Sequence, residues 1–222
     1  MIHIDSDTIL LSPVEQLWSY FDKMNSSQIL GMAPDNTNPL TSYYKADSLL
    51  DEGLRKIPAP TEYSLNSGVI LMNLTRMRQV KFFDELEPIV KQYEESIRWI
   101  VNDYLSIYLS RYPDRYMNVS CRWNYLNDHC RDGQFCLDAE TLGVALLHGS
   151  RDTFLIQDKE PVFHIVYSVF LNYSLNSNLT ENLINPLKNE LINANNLKCG
   201  QFKSIFISSI YNNVNNQSLN TE

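Results

Sequence analysis

The first thirteen residues, MIHIDSDTILLSP (1–13), set two carboxylates, Asp5 and Asp7, between an apolar stretch and a helix start signal. Residues 2–5 are rich in apolar side chains and read as a short strand. Ser12-Pro13-Val14-Glu15 has the form of a capping box with proline at the first helical position. Val14, Leu17, Trp18 and Phe21 then recur at helical spacing. The acidic pair therefore falls at a strand-to-helix junction, where α/β proteins place ligand sites. Side chains at i and i+2 of a strand point the same way, so Asp5 and Asp7 can face one ligand. Two such carboxylates repel unless a proton or a cation lies between them. Hard oxygen ligands suit Mg²⁺ or Mn²⁺, ions that keep open positions for a bridging diphosphate.

Downstream, residues 31–64 are rich in Asn, Pro, Ser and Tyr and read as an irregular excursion. LNSGVILMNL (65–74) is apolar on both parities through Val69, Ile70, Leu71 and Met72, the pattern of a strand buried on both faces. Gly68 within it allows close backbone approach. The pattern predicts a helix over about 80–95, kinked at Pro88. A second helix is expected with Ile97, Ile100, Val101, Tyr104, Leu105 and Tyr108 on its apolar face. Residues 112–140 form a loop-rich segment that bears cysteines. GVALLHGS (143–150) reads as another buried strand ending at His148, which could supply a nitrogen ligand. After Pro161, the residues Phe163, Val166, Tyr167, Phe170 and Leu171 make an amphipathic helix, and a Leu-rich stretch follows at 183–191. Alternating strands and helices indicate one α/β domain over 1–211, followed by a disordered polar tail at 212–222.

Composition bounds the function. The 222 residues are 44% hydrophobic and 20% charged, as in ordinary globular chains, and the net charge of -8 argues against nucleic-acid binding. No apolar run is long enough to span a membrane, and no signal peptide is visible. Four cysteines, Cys121, Cys130, Cys136 and Cys199, allow three pairings, which the sequence leaves open. Zinc held by Cys121, His129, Cys130 and Cys136 is the alternative, but C-x-x-C spacing is lacking and disulfides are favoured. N-x-[ST] sequons begin at Asn25, Asn73, Asn118, Asn172, Asn178 and Asn216. With an even cysteine count they lean towards the secretory pathway, and the absent targeting signal then suggests an incomplete N-terminus.

IDSDTILLSPVEQLW, LNSGVILMNLTRMR, SCRWNYLNDHC and LLHGSR…DKEPVFHIVY stand in an order that resembles the family 8 glycosyltransferases, most closely the glucoside xylosyltransferases within that family. The resemblance implies a GT-A type fold, a Rossmann-like mixed sheet flanked by helices. Its N-terminal nucleotide-binding half is expected to be missing from this chain. It implies a type II membrane enzyme of the Golgi or endoplasmic reticulum lumen, anchored by a segment this chain lacks. The implied reaction moves xylose, with retention and an α-1,3 linkage, from UDP-xylose to O-linked glucose on EGF-like repeats such as those of Notch. By the same resemblance, Asp5, Asp7 and His148 would hold Mn²⁺. Ser6, Gly68, Gly149 and Lys159 would join the two aspartates around the donor. Asn66, Ser67, Asn102 and Asp103 would line the reacting sugars.

The chain departs from the family at Ile100-Val101-Asn102-Asp103, where a Gly-Asp-Gln-Asp motif is expected. Valine cannot hydrogen-bond a sugar hydroxyl, a loss of about 1–3 kcal/mol. A catalytically degenerate or truncated member acting as a binding protein is therefore the second reading. A phosphatase of the haloacid-dehalogenase type would also open on D-x-D, but it wants Thr or Val where Ile9 stands.

Overall fold

The computed structural model describes residues 1–35, 58, 60–61, 63–95, 97, 100–131, 133, 135–196 and 198–219. Six strands are described: β1 (Ile2–Ile4), β2 (Thr8–Leu10), β3 (Leu30–Pro34), β4 (Leu65–Met72), β5 (Tyr116–Asn118) and β6 (Leu146–His148). The α-helices are α1 (Val14–Trp18), α2 (Tyr20–Lys23), α3 (Leu74–Gln79), α4 (Phe82–Tyr93), α5 (Ile100–Arg111), α6 (Leu137–Leu142), α7 (Pro161–Leu171), α8 (Asn185–Leu191) and α9 (Ile205–Leu219). The class is mixed α/β, with a mixed sheet and flanking helices, as the element pattern predicts. Two compact units are present: Met1–Asp5 with Leu17–Ser120, and Ser6–Gln16 with Cys121–Glu222.

The first unit holds a four-stranded sheet in the order β1-β4-β3-β5. β1 runs antiparallel to β4, β4 antiparallel to β3, and β3 parallel to β5. β4 sits between two neighbours and buries Leu65, Val69, Ile70 and Leu71, which explains its apolar residues on both parities. Against the sheet, Met77 of α3, Phe82 and Ile89 of α4, and Leu105, Ile107, Tyr108 and Leu109 of α5 complete one core. Each such side chain contributes about 1.5–3 kcal/mol by leaving water. Arg115 donates to Glu85 and to the Tyr108 hydroxyl, tying α4, α5 and the start of β5 together.

Between Met32 and Ala33 the pairing of β3 with β4 jumps from Ile70 to Asn66. The jump leaves Ser67, Gly68 and Val69 without matched residues on β3. Their backbone groups must be satisfied otherwise. The Ser67 amide donates to Asn102 Oδ1 at 2.8 Å, and the Gly68 amide to Asn66 Oδ1 at 2.8 Å.

Two expectations change here. Leu30–Pro34 is a strand rather than the start of an irregular excursion, and 36–57 lies outside the described residues. On α5 the apolar face is rotated: Ile100 and Val101 are 69% and 51% exposed, while Asp103 and Ser106 are fully buried. Asn102 is the α5 side chain that meets the β4 backbone, while the buried Ser106 Oγ has no hydrogen-bond partner among the described residues.

The second unit pairs β2 with β6, Thr8 facing His148 across an antiparallel ladder. Its core gathers Leu11, Tyr125, Leu147, Phe154, Phe163, Val166, Leu187 and Phe206. α7 starts on Pro161 and buries Val162, Phe163, Val166 and Val169. Arg122, 8% exposed, donates to the Gly143 and Leu142 carbonyls at 2.8 and 3.1 Å and so closes the C-terminus of α6. Gly143 has φ 76°, and a Cβ there would lie 2.4 Å from Ser208 Oγ and 2.7 Å from the Ser209 amide. Disulfides join Cys121 to Cys136 and Cys130 to Cys199, which removes the zinc alternative. His129 Nδ1 instead accepts the Leu126 amide proton at 2.9 Å. Helix α9 continues to Leu219, through most of the stretch expected to be a disordered tail.

Candidate metal and nucleotide-sugar site

Six expected residues lie in the first unit. The Asp5 amide donates to the Gly68 carbonyl at 2.9 Å, extending the β1–β4 ladder by one step. Asp5 thus emerges beside the polar stretch Asn66-Ser67-Gly68 that the register jump leaves open. Asn66, 7% exposed, donates through Nδ2 to Asp35 Oδ1 at 2.8 Å and accepts the Gly68 amide. Asn102 acts through the Ser67 amide, and Asp103, one residue on, is fully buried in the same unit. The structure therefore groups Asp5, Asn66, Ser67, Gly68 and Asn102 around one strand end.

Two further side chains join this group that the sequence reading missed. Asp35 follows β3 as Asp5 follows β1, a strand-then-aspartate pattern that was legible had Leu30–Pro34 been read as a strand. His3 Nε2 lies 3.3 Å from Asp5 Oδ1, as i and i+2 positions on one side of a strand require.

In the second unit, His148 ends β6 with only 4% of its side chain exposed. Its Nδ1 lies 2.8 Å from Asn124 Oδ1. Oriented this way, Asn124 accepts an Nδ1 proton and leaves the lone pair on Nε2. That Nε2 lies 3.4 Å from Asp7 Oδ1. A lone pair and a carboxylate oxygen at this separation repel unless a proton or a cation stands between them. The donor set of one buried imidazole and one carboxylate, with the far ring nitrogen held by an oxygen, is the arrangement of metal-ligating histidines. Asn124 belongs to the RWNYLNDHC stretch, and nothing in its spacing from His148 announced the partnership.

Asp5 ends the N-terminal segment of the first unit, and Asp7 is the second residue of the other. Two residues of chain keep their Cα atoms within about 7 Å. Ser6 between them is exposed.

The loop after β6 carries the rest. The Gly149 amide donates to the Asp7 carbonyl at 2.7 Å. A Cβ on Gly149 would meet Phe154 Cδ2 at 2.3 Å, so glycine is required here by packing. Arg151 and Asp152 both take left-handed backbone, φ 60° and 63°. Lys159 Nζ donates to the Arg151 carbonyl at 2.7 Å and to Asp152 Oδ2 at 2.9 Å. Its head is thereby drawn onto this loop, with the side chain still 42% exposed. At the start of α7, burial pushes the Glu160 carboxyl above its ordinary range, opposed by the Val162 amide and by Arg131 and Lys198. Glu160 Oε1 has no hydrogen-bond partner among the described residues.

Of the sequon asparagines, Asn25, Asn118, Asn172 and Asn178 are exposed. Asn73 is half-buried and caps α3 by accepting the Arg76 amide.

Asp7, the buried imidazole of His148 and the Lys159 loop make the second unit of this α/β protein a candidate site for a cation and an anionic ligand. Sequence comparison gives the family: residues 1–148 match the profile of Glycosyl transferase family 8, and the chain belongs to it. It is similar to Glucoside xylosyltransferase 1 of Mus musculus, 35% identical over 98% of this chain and 54% of the mouse protein. Glucoside xylosyltransferase 2 of Mus musculus is 30% identical over 95% of this chain and 48% of its own length. The chain thus spans about half the length of the curated relatives it matches. A crystal structure of mouse Xyloside xylosyltransferase 1, apo form, is similar over 68% of this chain and 57% of that chain, with 19% identity and a TM-score of 0.47. Among the described residues, no helix is long and apolar enough to cross a membrane.

Proposed function

We propose that this chain carries the metal and donor site of a retaining glycosyltransferase. The reaction is transfer of xylose from UDP-xylose to O-linked glucose on EGF-like repeats of Notch-type proteins, in the Golgi or endoplasmic reticulum lumen. The observation that carries the reading is the Asp7–His148 pair, with Nε2 3.4 Å from Asp7 Oδ1 and the other ring nitrogen 2.8 Å from Asn124 Oδ1. The names of the relatives, glucoside xylosyltransferases, support the sugar and acceptor classes.

In the second unit, Asp7 and His148 Nε2 are the side chains that would hold Mn²⁺. When bound, the ion stabilises the charge that UDP gains as the sugar–phosphate bond breaks. Lys159, fixed by Asp152 and the Arg151 carbonyl, adds a second positive charge on the loop that follows His148. Asn102 holds the Ser67 amide and Asp35 holds Asn66, so the donor-sugar edge of β4 is rigid before a ligand arrives. In transfer with retention, the bond from the anomeric carbon to phosphate breaks, and a bond to the acceptor oxygen forms on the same face. The acceptor proton passes to the leaving phosphate.

Calorimetric titration of the 222-residue chain with UDP-xylose, with and without Mn²⁺, tests this. Binding that needs Mn²⁺ and is lost in Asp7→Asn is expected. Donor affinity unchanged by Asp7→Asn would defeat the assignment.

Val101 favours a second reading, a family member that binds donor without transfer. It presents an isopropyl group, 51% exposed, where the family resemblance expects an aspartate. Under that reading Val101→Asp raises transfer at least tenfold from a low baseline, whereas under the first it does not.

A further inference from the structure

A polar cavity of about 680 Å³ lies within the second unit, between α7 and α8. It shares no residue with the proposed cation and donor site. At roughly 30 Å³ per water it holds about twenty waters. That falls within the range of about 300–1,000 Å³ for bound small molecules. Its polar groups come from His164, Ser168, Asn172, Ser174, Asn182 and Glu190, among others, and no lysine or arginine is among the described residues that line it. His164 Nδ1 donates to the Phe154 carbonyl at 2.7 Å, which leaves Nε2, 3.4 Å from Ser168 Oγ, as an acceptor. Amides, hydroxyls, an imidazole and a carboxylate suit the hydroxyl and acetamido groups of a neutral sugar. A phosphate or carboxylate ligand would call for a cation there. Ile165, Val169 and Pro186 add apolar surface for the C–H face of a ring.

The rim of this cavity carries a sequon. Asn172 and Ser174 of Asn172-Tyr173-Ser174 both line it, and both are exposed. Asn172 directly follows α7, and its Nδ2 donates to the Ser168 carbonyl at 2.9 Å. That carbonyl is in the last turn, where acceptors lack helical partners. A side-chain amide carries two hydrogens, so one can stay on Ser168 while the other is exchanged for a substituent. Leu171 and Leu175, 69% and 84% exposed, flank the sequon. A bulky hydrophilic group fixed at Asn172 screens such side chains from self-association. Other sequons are placed less openly. Asn73 is half-buried, Asn118 is followed by the buried Val119, and Asn216 lies inside α9.

We infer that Asn172 carries an N-linked glycan and that the first rings of this glycan lie in the adjacent cavity. In the modification, Asn172 Nδ2 forms a bond to the anomeric carbon of an oligosaccharide. The bond from that carbon to a lipid-linked diphosphate breaks, Nδ2 gives up one proton, and the diphosphate leaves. The co-reactant is the lipid diphosphate oligosaccharide that a transferase of the secretory pathway consumes. The inference rests on the lumenal placement in the reading above, which the two disulfides support independently.

The test uses the whole chain, fused behind a secretion signal and secreted from animal cells blocked at the high-mannose stage. Peptide mass spectrometry reads the occupancy of each sequon. A glycan on Asn172 is expected in most molecules, and its complete loss in Ser174→Ala. The native protein is then digested with an endoglycosidase that cuts between the first two N-acetylglucosamine rings. Asn182→Trp, at an exposed position on the cavity wall, fills the groove with an indole, and circular dichroism confirms its fold. Cleavage at Asn172 is expected to be at least tenfold slower in the wild type than in Asn182→Trp. An unmodified Asn172 in the secreted wild type overturns the inference. An occupied Asn172 that is trimmed equally fast in both proteins also overturns it, by leaving the glycan in solvent. Four free thiols in the secreted, folded chain overturn the lumenal placement beneath it.

Discussion

Asn124 touches neither ligand nor solvent in the proposed site, yet the cation site depends on it. It is fully buried, and its Oδ1 lies 2.8 Å from His148 Nδ1. Asn124→Ala strips the acceptor from an Nδ1 proton inside the protein, a cost of about 1–3 kcal/mol if the ring stays as it is. The ring escapes that cost by rotating, or by moving the proton to Nε2, the nitrogen that faces Asp7 at 3.4 Å. Either escape removes the lone pair from the cation. Loss of such a supporting partner weakens metal binding about 10–100-fold, which is about 1.4–2.8 kcal/mol. Asn124→Asp keeps an acceptor oxygen at Nδ1 and makes the imidazole a better donor to the cation, so its Mn²⁺ affinity is expected to equal or exceed that of the wild type. Mn²⁺ titration of the three proteins by water-proton relaxation, with circular dichroism to confirm folding, provides the measurement. Wild-type Mn²⁺ affinity in folded Asn124→Ala would refute the argument, because His148 would then need no orienting partner.

Arg122→Ala leaves the Gly143 and Leu142 carbonyls without their charged donor, and urea unfolding is expected to show a loss of about 3 kcal/mol. Arg122→Lys should recover little of it, since a point ammonium cannot serve both carbonyls as the guanidinium does. In Gly200→Ala the new Cβ would lie 1.7 Å from the Ala194 carbonyl oxygen, so the backbone must shift, and a loss of about 1–3 kcal/mol is expected in the same assay. The folded state raises the Glu160 carboxyl above its unfolded value through burial, so it binds more protons than the unfolded chain between those two values. Its contribution to stability therefore falls as pH rises from the unfolded value through the folded one. Glu160→Gln should remove that decline, giving greater stability relative to wild type at neutral pH than at acid pH; parallel urea midpoints in both variants would reveal an error of sign or of burial.

Several of the elements that carry the candidate site are legible in the sequence alone. Apolar residues at fixed spacing mark which segments bury a face, and that information is local. It was enough to find β1 just before Asp5, β4 with both faces buried, β6 ending at His148, and the α7 stripe after Pro161. The even cysteine count was enough to favour disulfides over zinc. The α/β class followed from the alternation of these elements.

What remained hidden depends on partners far away along the chain. Three-residue strands such as β2 and β5 carry too few positions to show a period, and they form because β6 and β3 offer them a ladder. The face of α5 was misread because hydrophobicity alone placed Val101 inward, whereas the register jump in β4 needs Asn102 there to cap the Ser67 amide. Cysteine pairing is a distance, and no spacing rule distinguishes Cys130–Cys199 from the alternatives. Asp35 behind Asn66 and Asn124 behind His148 lie 31 and 24 residues from the groups they hold. The residue types that can bind a cation are a property of the sequence. Whether a lone pair, rather than a proton, faces Asp7 is decided by a hydrogen bond that only the folded chain brings together.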